Sequence, residues 1–228
     1  MSRLLAWLNE LLFPRRCMLC RELLTKDETD LCRKCRMNAP EYPYGAENPA
    51  PSGKNSGQFL DSFTAVWYYE GDVRKSILRF KFRGAAFLAS KYGALLSMKL
   101  LREGPKEIDF LTWVPVSRLR RMKRGYDQCQ LLCDAMVEQL QLPSHRALRK
   151  IRHTPPQSGL SSVPERKANV LGAYKLVKQI DVRGKRILLV DDIYTTGSTM
   201  NECARVLLTA GAKEVHGAAI AAVRHQKK

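Results

Sequence analysis

Ile187-Leu-Leu-Val-Asp-Asp-Ile-Tyr-Thr-Thr-Gly-Ser-Thr199 is the stretch that decides the fold. Within Arg186–Asp192 the run Ile187–Val190 is apolar at every residue, as a strand buried on both faces of a parallel sheet must be. A short hydroxyl- and glycine-rich loop follows. Ser198–Ala210 then has helical spacing, and Gly211 supplies its stop. In open α/β sheets ligands bind at the carboxyl ends of strands, and a helix N-terminus offers unpaired N–H groups to an anion. Asp191 and Asp192 therefore stand where they reach sugar hydroxyls or a magnesium-bound ligand. Thr195, Thr196, Ser198 and Thr199 add hydroxyl donors, and Gly197 lets the backbone approach a phosphate. A loop suited to phosphate beside two acids suited to a diol describes a ribose 5-phosphate. The spacing fits neither GxxxxGK[ST] nor GxGxxG. The alternative is a helix cap in which Asp192, Thr196 and Ser198 satisfy backbone groups. Against it, two acids at a buried strand end are costly unless a ligand uses them.

Moving outward, the pattern alternates strands and helices. Phe63–Tyr69, Phe110–Val116, Ala173–Val177 and Val215–Val223 read as strands, and 73–82, 87–101 and 126–140 as helices. This is an α/β chain whose parallel sheet is covered on both faces by helices. Residues 3–13 space Leu4, Leu5, Trp7, Leu8, Leu11 and Leu12 as an amphipathic helix that packs on the rest of the chain; membrane-surface attachment is the alternative, weakened by a polar face with little positive charge. Asn9 and Glu10 interrupt the apolar run and no small-residue cleavage site follows, so it does not read as a signal peptide. Residues 38–58 are dense in Pro, Gly, Asn and Ser and read as a linker. The chain thus divides into 1–37, 38–58 and 59–228.

Among 228 residues, 39 Lys and Arg against 22 Asp and Glu give a formal net charge of +17. That excess calls for a polyanionic partner: nucleic acid, a phosphorylated small molecule or an anionic membrane surface. It excludes an acidic disordered tail protein, and no apolar run approaches the ~20 residues of a membrane span. An odd count of seven cysteines and the lack of a secretory signal point to a reduced, cytoplasmic setting. Four of the seven form two CxxC pairs, Cys17/Cys20 and Cys32/Cys35, with eleven residues between the pairs. Two such knuckles supply a tetrahedral four-sulfur site that suits zinc, and with no open position the site is structural. Arg15, Arg16, Arg21, Arg33, Lys34 and Arg36 offset the charge of a zinc tetrathiolate. A redox CxxC, incidental cysteines and an iron–sulfur cluster are the alternatives.

LLVDDIYTTGST resembles the phosphoribosyl pyrophosphate (PRPP) motif of type I phosphoribosyltransferases. With the cysteine module, WYYEGDVRKSILRFKFRG, VPVSRLRRMKRGYDQ and RHTPPQSGLSSVPERKANVLGAY in that order, the chain resembles the ComF family of ComFC and GntX-like proteins over residues 14–223. The resemblance implies a type I phosphoribosyltransferase-like fold behind a small zinc module. It implies that Asp191 and Asp192 contact the ribose hydroxyls and that Thr195–Thr199 hold the 5′-phosphate of PRPP, bound with magnesium. It places Ser117 and Arg118 in a pyrophosphate loop that Arg124 and Gln128 orient. It makes Arg146–Lys167, which lacks periodicity between His153 and Pro164, a mobile loop closing over pyrophosphate with Arg152, Gln157 and Arg166 as its contacts; a loop without a catalytic task is the alternative. The catalytic candidates are thus Asp191, Asp192, Arg118 and Arg152. Two departures stand out. No cysteine occurs between 36 and 128, where many relatives carry two more, and Tyr126 and Asp127 replace the usual Phe and Asn.

The resemblance further implies a role in natural transformation on incoming single-stranded DNA, with DNA-uptake proteins as partners. The net charge, the basic cysteine module and Trp67, Tyr68 and Tyr69 are compatible with a strand-binding groove. The alternatives are an active phosphoribosyltransferase acting on a nitrogen acceptor and a PRPP sensor without turnover. The region near 59–84, where an acceptor base is read, carries no clear purine or pyrimidine signature. An oligomer is compatible with the sequence.

Overall fold

The computed structural model of the protein describes residues 12–43, 58–152, 154 and 163–224. Residues 3–11 of the expected helix 3–13, residues 44–57 of the expected linker, His153 and Gln157 lie outside them, and Leu12 and Phe13 are exposed. Among the described residues four strands form one parallel sheet: β1 (Ser62–Tyr68), β2 (Phe110–Trp113), β5 (Arg186–Tyr194) and β6 (Glu214–Ala222), in the order β1-β6-β5-β2. The expected central strand is there, with β5 between β6 and β2. It runs two residues beyond the expected end, through Asp191 and Asp192 to Tyr194, because β6 stays in register with it to Ala222. β2 ends at Trp113, three residues short of the expected end.

Alternation along β5 divides the core in two. Leu188 and Val190 face a cluster with α2 (Gly71–Phe82), α3 (Leu88–Glu103) and α5 (Gln128–Leu140); Ile187 and Leu189 face one with α6 (Val163–Val170) and α7 (Ser198–Thr209). Gly93 of α3 is required by a close helix crossing, since a Cβ there would meet the Ala135 Cβ of α5 at 2.7 Å. A second, antiparallel pair, β3 (Leu148–Lys150) with β4 (Tyr174–Leu176), caps the α7 side.

Three segments differ from the sequence reading. Ser117–Arg124, expected as a loop, holds a helix, α4 (Arg118–Arg124), started by the Ser117 side chain and ended by Gly125 at φ +83°. The basic stretch 146–167, expected as a mobile loop, contributes β3 at one end and the start of α6 at the other; three-residue strands and short helices leave too little periodicity to read. The first linker residues belong to the fold: Tyr42 is fully buried against Phe63 and Tyr68, and its N–H donates to the Val66 carbonyl.

The cysteine module packs on the same framework. Met18 and Leu19, between the first two cysteines, are buried in the cluster of α2 and α3. The Arg79 guanidinium donates to the carbonyls of Met18 (2.7 Å) and Leu19 (3.0 Å), and the Ser76 hydroxyl also donates to Met18. A short helix, α1 (Arg33–Asn38), carries Cys35. No helix among the described residues is long and apolar enough to cross a membrane.

Candidate functional site

Where β5 ends, it and seven other elements converge on a cleft of ≈ 870 Å3. Asp191, Asp192, Thr195 and Thr199 line it from β5 and the loop into α7. That loop turns at Gly197, φ +70°, where a Cβ would run into the Tyr194 ring. Gly197 is the N-cap of α7 and no side chain caps the helix, although the Thr196 and Ser198 hydroxyls lie 2.9 Å apart. Asp192, Thr196 and Ser198 are therefore not serving as side-chain caps, and the first turn presents its N–H groups toward the loop.

The acids carry a partner that sequence reasoning missed. Lys81, at the end of α2, places Nζ 2.8 Å from an Asp192 oxygen, with both side chains largely buried. Burial alone would lower the Lys81 ammonium; the carboxylates of Asp192 and Asp191 reverse this and hold it above the usual lysine value. Asp191 is pushed up to about 8, chiefly by burial and then by Asp192 beside it. Its Oδ1 accepts from the Asp192 N–H and from the Cys129 thiol, at 2.8 and 3.4 Å. Lys81 lies in the RFKFRG segment, read for a base signature and not for a counter-ion; nothing in its spacing links it to residues 191 and 192.

Across the cleft stand Arg120, Lys123 and Arg124 of α4 and Lys150 of β3. Lys150 Nζ donates to the Thr154 hydroxyl (2.8 Å), while Arg120 donates to the Thr154 carbonyl (3.0 Å). Burial, and then the charge of Arg120, lowers Lys150 to about 8. Arg124 donates to Gln128 Oε1 at 2.7 Å; Gln128 is fully buried, with no partner for its Nε2 among the described residues. Asp127 accepts from the backbone N–H groups of Val116, Cys129 and Gln130, a role for an acceptor, which explains an acid where an amide was expected.

The structure thus gathers Asp191, Asp192, Thr195, Thr199 and Arg124 around the cleft, with Thr196, Gly197 and Ser198 shaping the loop. Ser117 is buried as the cap of α4. Arg118 is exposed and outside the cleft lining. Arg152 is exposed and ties the carbonyls of Asn169 and Leu171, at 3.1 and 2.8 Å. Trp67 is buried in β1 and the Arg224 guanidinium covers the Tyr68 ring at 3.7 Å, so these two do not form the open aromatic groove expected of them; Tyr69 does line the cleft. Their alternation on a buried strand, not their composition, decides this.

The sulfurs of Cys17, Cys20, Cys32 and Cys35 lie within 4.8 Å of one another, Cys20 and Cys32 at 3.6 Å. Zinc–sulfur bonds of about 2.3 Å set tetrahedral sulfurs about 3.8 Å apart, so the four fit a structural zinc ion. Burial works against the Cys17 thiolate, but N–H groups of Cys32, Cys20 and Leu19 outweigh it and lower the thiol to about 7, ready for a metal. Magnesium fits the protein's own groups poorly. Cys129, Asp191 and Asp192 cluster, but a thiol is a soft ligand and Lys81 already holds Asp192.

A phosphoribosyl transferase domain model matches residues 127–228, and a double zinc ribbon domain model matches residues 8–45. The chain is 29% identical to competence protein F of Haemophilus influenzae over 220 residues, covering 89% of this chain and 95% of that protein. It is 30% identical to DNA utilization protein YhgH of Escherichia coli K12 over 208 residues, covering 87% and 86%. It is 26% identical to competence protein ComFC of Bacillus subtilis over 199 residues, covering 86% and 78%. With four cysteines in the ribbon region, this chain has ligands for a single closed site there.

Proposed function

This chain belongs to the ComF family, that of competence protein F, ComFC and YhgH, and we propose that it binds PRPP in the cleft at the end of β5 and acts in DNA uptake in the cytoplasm, where it handles single-stranded DNA. Its fold is the type I phosphoribosyltransferase-like one, with helices on both faces of a parallel sheet behind a four-cysteine module. Residues 1–37 are its module and 59–228 its main domain; of the segment 38–58 between them, Tyr42 packs in the core of the main domain. One observation carries the ligand: paired acids, an uncapped helix start and four further cations face a single cleft. Lys81 neutralises Asp192, and Asp191 is raised toward neutrality, so Arg120, Lys123, Arg124 and Lys150 leave the cleft strongly cationic. That suits a small molecule with several phosphate charges and a diol. Thr195–Thr199 take its 5′-phosphate, Asp191 and Asp192 its hydroxyls, and the α4 and β3 cations its pyrophosphate. Ser117 and Gln128 hold α4 and Arg124 in place, with Arg118 and Arg152 at the periphery. Magnesium, given the donor set, comes with the pyrophosphate and not as a protein-held ion.

Turnover is a second reading, favoured by the apolar wall of Tyr69, Leu78 and Phe82 beside the acids, which leaves room for a nitrogen acceptor. The test of ligand identity is calorimetry on Asp191→Asn with Asp192→Asn. Charge-assisted hydrogen bonds are worth roughly 1.5–3 kcal/mol each, so PRPP affinity should fall about a hundredfold or more. Inorganic phosphate, which needs only the loop, should bind equally or more tightly once the Asp192 charge is gone and Asp191 can no longer ionise. Equal PRPP affinity in mutant and wild type ends this reading, and pyrophosphate release with a panel of nucleobases decides turnover.

A further inference from the structure

Helix α4 is an anomaly in packing. A surface helix buries an apolar stripe, yet none of the residues of α4 is buried and its Leu119 and Met122 are 63% and 73% exposed. Its ends are fixed by Ser117 and Gly125, and its inner side by Arg120 on Thr154 and Arg124 on Gln128. The outer side carries Arg118 and Arg121, both exposed and outside the cleft lining, with no carboxylate paired to either among the described residues. Two cations held out from the body make a surface for a polyanion.

Beside it stands Phe82, the last residue of α2, which lines the cleft and is 63% exposed. The Arg124 guanidinium lies over its ring, 4.8 Å from the centroid, and Gln128 holds that guanidinium in place. An exposed ring backed by a fixed planar cation is a stacking platform for another flat π-system. Its neighbours on that wall, Tyr69, Leu78 and Gly84, offer no amide or carboxylate to read a base edge, and Lys81 is taken by Asp192.

We infer that Phe82 and the outer face of α4 form the single-strand platform of this protein: a base stacks on Phe82 while Arg118 and Arg121 hold the neighbouring phosphates. The inference rests on the DNA reading above and assigns it to the mouth of the ribose phosphate cleft and not to Arg33, Lys34 and Arg36 of the cysteine module. Because the wall stacks bases and does not read their edges, binding tolerates sequence.

The test is fluorescence anisotropy of a labelled oligodeoxythymidine with the full chain. Phe82→Ala should weaken binding about tenfold, and Phe82→Tyr, which keeps the ring, should restore it. Arg118→Ala with Arg121→Ala should reduce the salt dependence of log affinity by about 1.4, at roughly 0.7 per lost phosphate contact. All three positions are on the surface, so circular dichroism should show an unchanged fold. Oligodeoxyadenosine should bind within a few-fold of oligodeoxythymidine, and duplex of the same length more weakly. Wild-type protein that binds no oligonucleotide defeats the DNA reading and this inference together. Wild-type binding that survives Phe82→Ala and the Arg118→Ala, Arg121→Ala variant, or that falls only in Arg33→Ala with Lys34→Ala and Arg36→Ala, defeats this inference alone. A strong base preference overturns stacking without readout. Vesicles of phosphatidylglycerol captured through Leu119 and Met122 in place of the oligonucleotide would reassign the face to lipid and overturn the proposal.

Discussion

The four-cysteine module and the β5 cleft are two charged centres built in opposite ways. The module draws all its ligands from nineteen consecutive residues, and both knuckles are written in CxxC spacing. The cleft draws its charges from residues as distant as Lys81, Arg120, Lys150 and Asp192, and no two of these are set by a motif. A site made of local spacing survives as a pattern in one dimension. A site made of opposing elements exists only once the sheet has brought them together. Yet the module does not stand apart in energy, since Met18 and Leu19 share a core with α2 and α3.

That sharing sets the largest expected effect. Structural zinc sites carry apparent binding free energies of about 10–16 kcal/mol near neutral pH in small fingers. Cys17→Ser with Cys32→Ser should therefore drop zinc from one ion per chain to near zero. It should also lower the melting temperature of the whole chain, because Arg79 and Ser76 lose the carbonyls they hold. Metal analysis and calorimetry on one sample check this. A zinc-free variant that melts like wild type would show the module to be an appendage and break the contrast.

A smaller effect is expected in the cleft. Lys81→Met strands Asp192 as an unpaired buried charge, which costs about 3–5 kcal/mol when a buried pair is broken from one side. Lys81→Met with Asp192→Asn should recover much of that loss. A double-mutant cycle in urea measures the coupling, and additive losses would mean that the two residues act separately despite their 2.8 Å contact.

The smallest effect is one of protonation. Asp191 is raised to about 8 in the folded chain against 3.8 unfolded, so the folded state holds the extra proton. Its stabilising contribution is complete below about pH 4 and is lost as pH rises through about 8. Lys150 is lowered to about 8 from 10.5, so its penalty is present below about 8 and fades between 8 and 10.5. Stability should thus decline from mildly acidic pH toward 8 and turn upward above it, with Asp191→Asn flattening the first limb and Lys150→Met the second. Urea titrations across pH check each limb. A profile unchanged by either variant would mean that neither group is held away from its ordinary protonation.

The strand-loop-helix at 187–199 and the two CxxC pairs were legible because each is local: an apolar run, a turn residue and a fixed ligand spacing carry their meaning without neighbours. The wide parallel sheet followed from alternation for the same reason. Where the sequence misled, burial was the missing variable. Trp67 looked like a binding surface and is core, Tyr42 looked like linker and is core, and Phe82 looked unremarkable and is exposed at the cleft mouth. Composition says which side chains are available, and alternation proposes a face, but which face is covered depends on what packs there. The sequence by itself determined the strand-loop-helix at 187–199, the acid pair at its turn, the four-cysteine cluster and the cationic character. Only the tertiary structure decided that Lys81 neutralises Asp192, that Lys150 and Arg120 replace Arg118 and Arg152 at the cleft, and that α4 turns Arg118 and Arg121 outward. Such pairings are set by three-dimensional distance in a low-dielectric cleft, and sequence separation carries no trace of it.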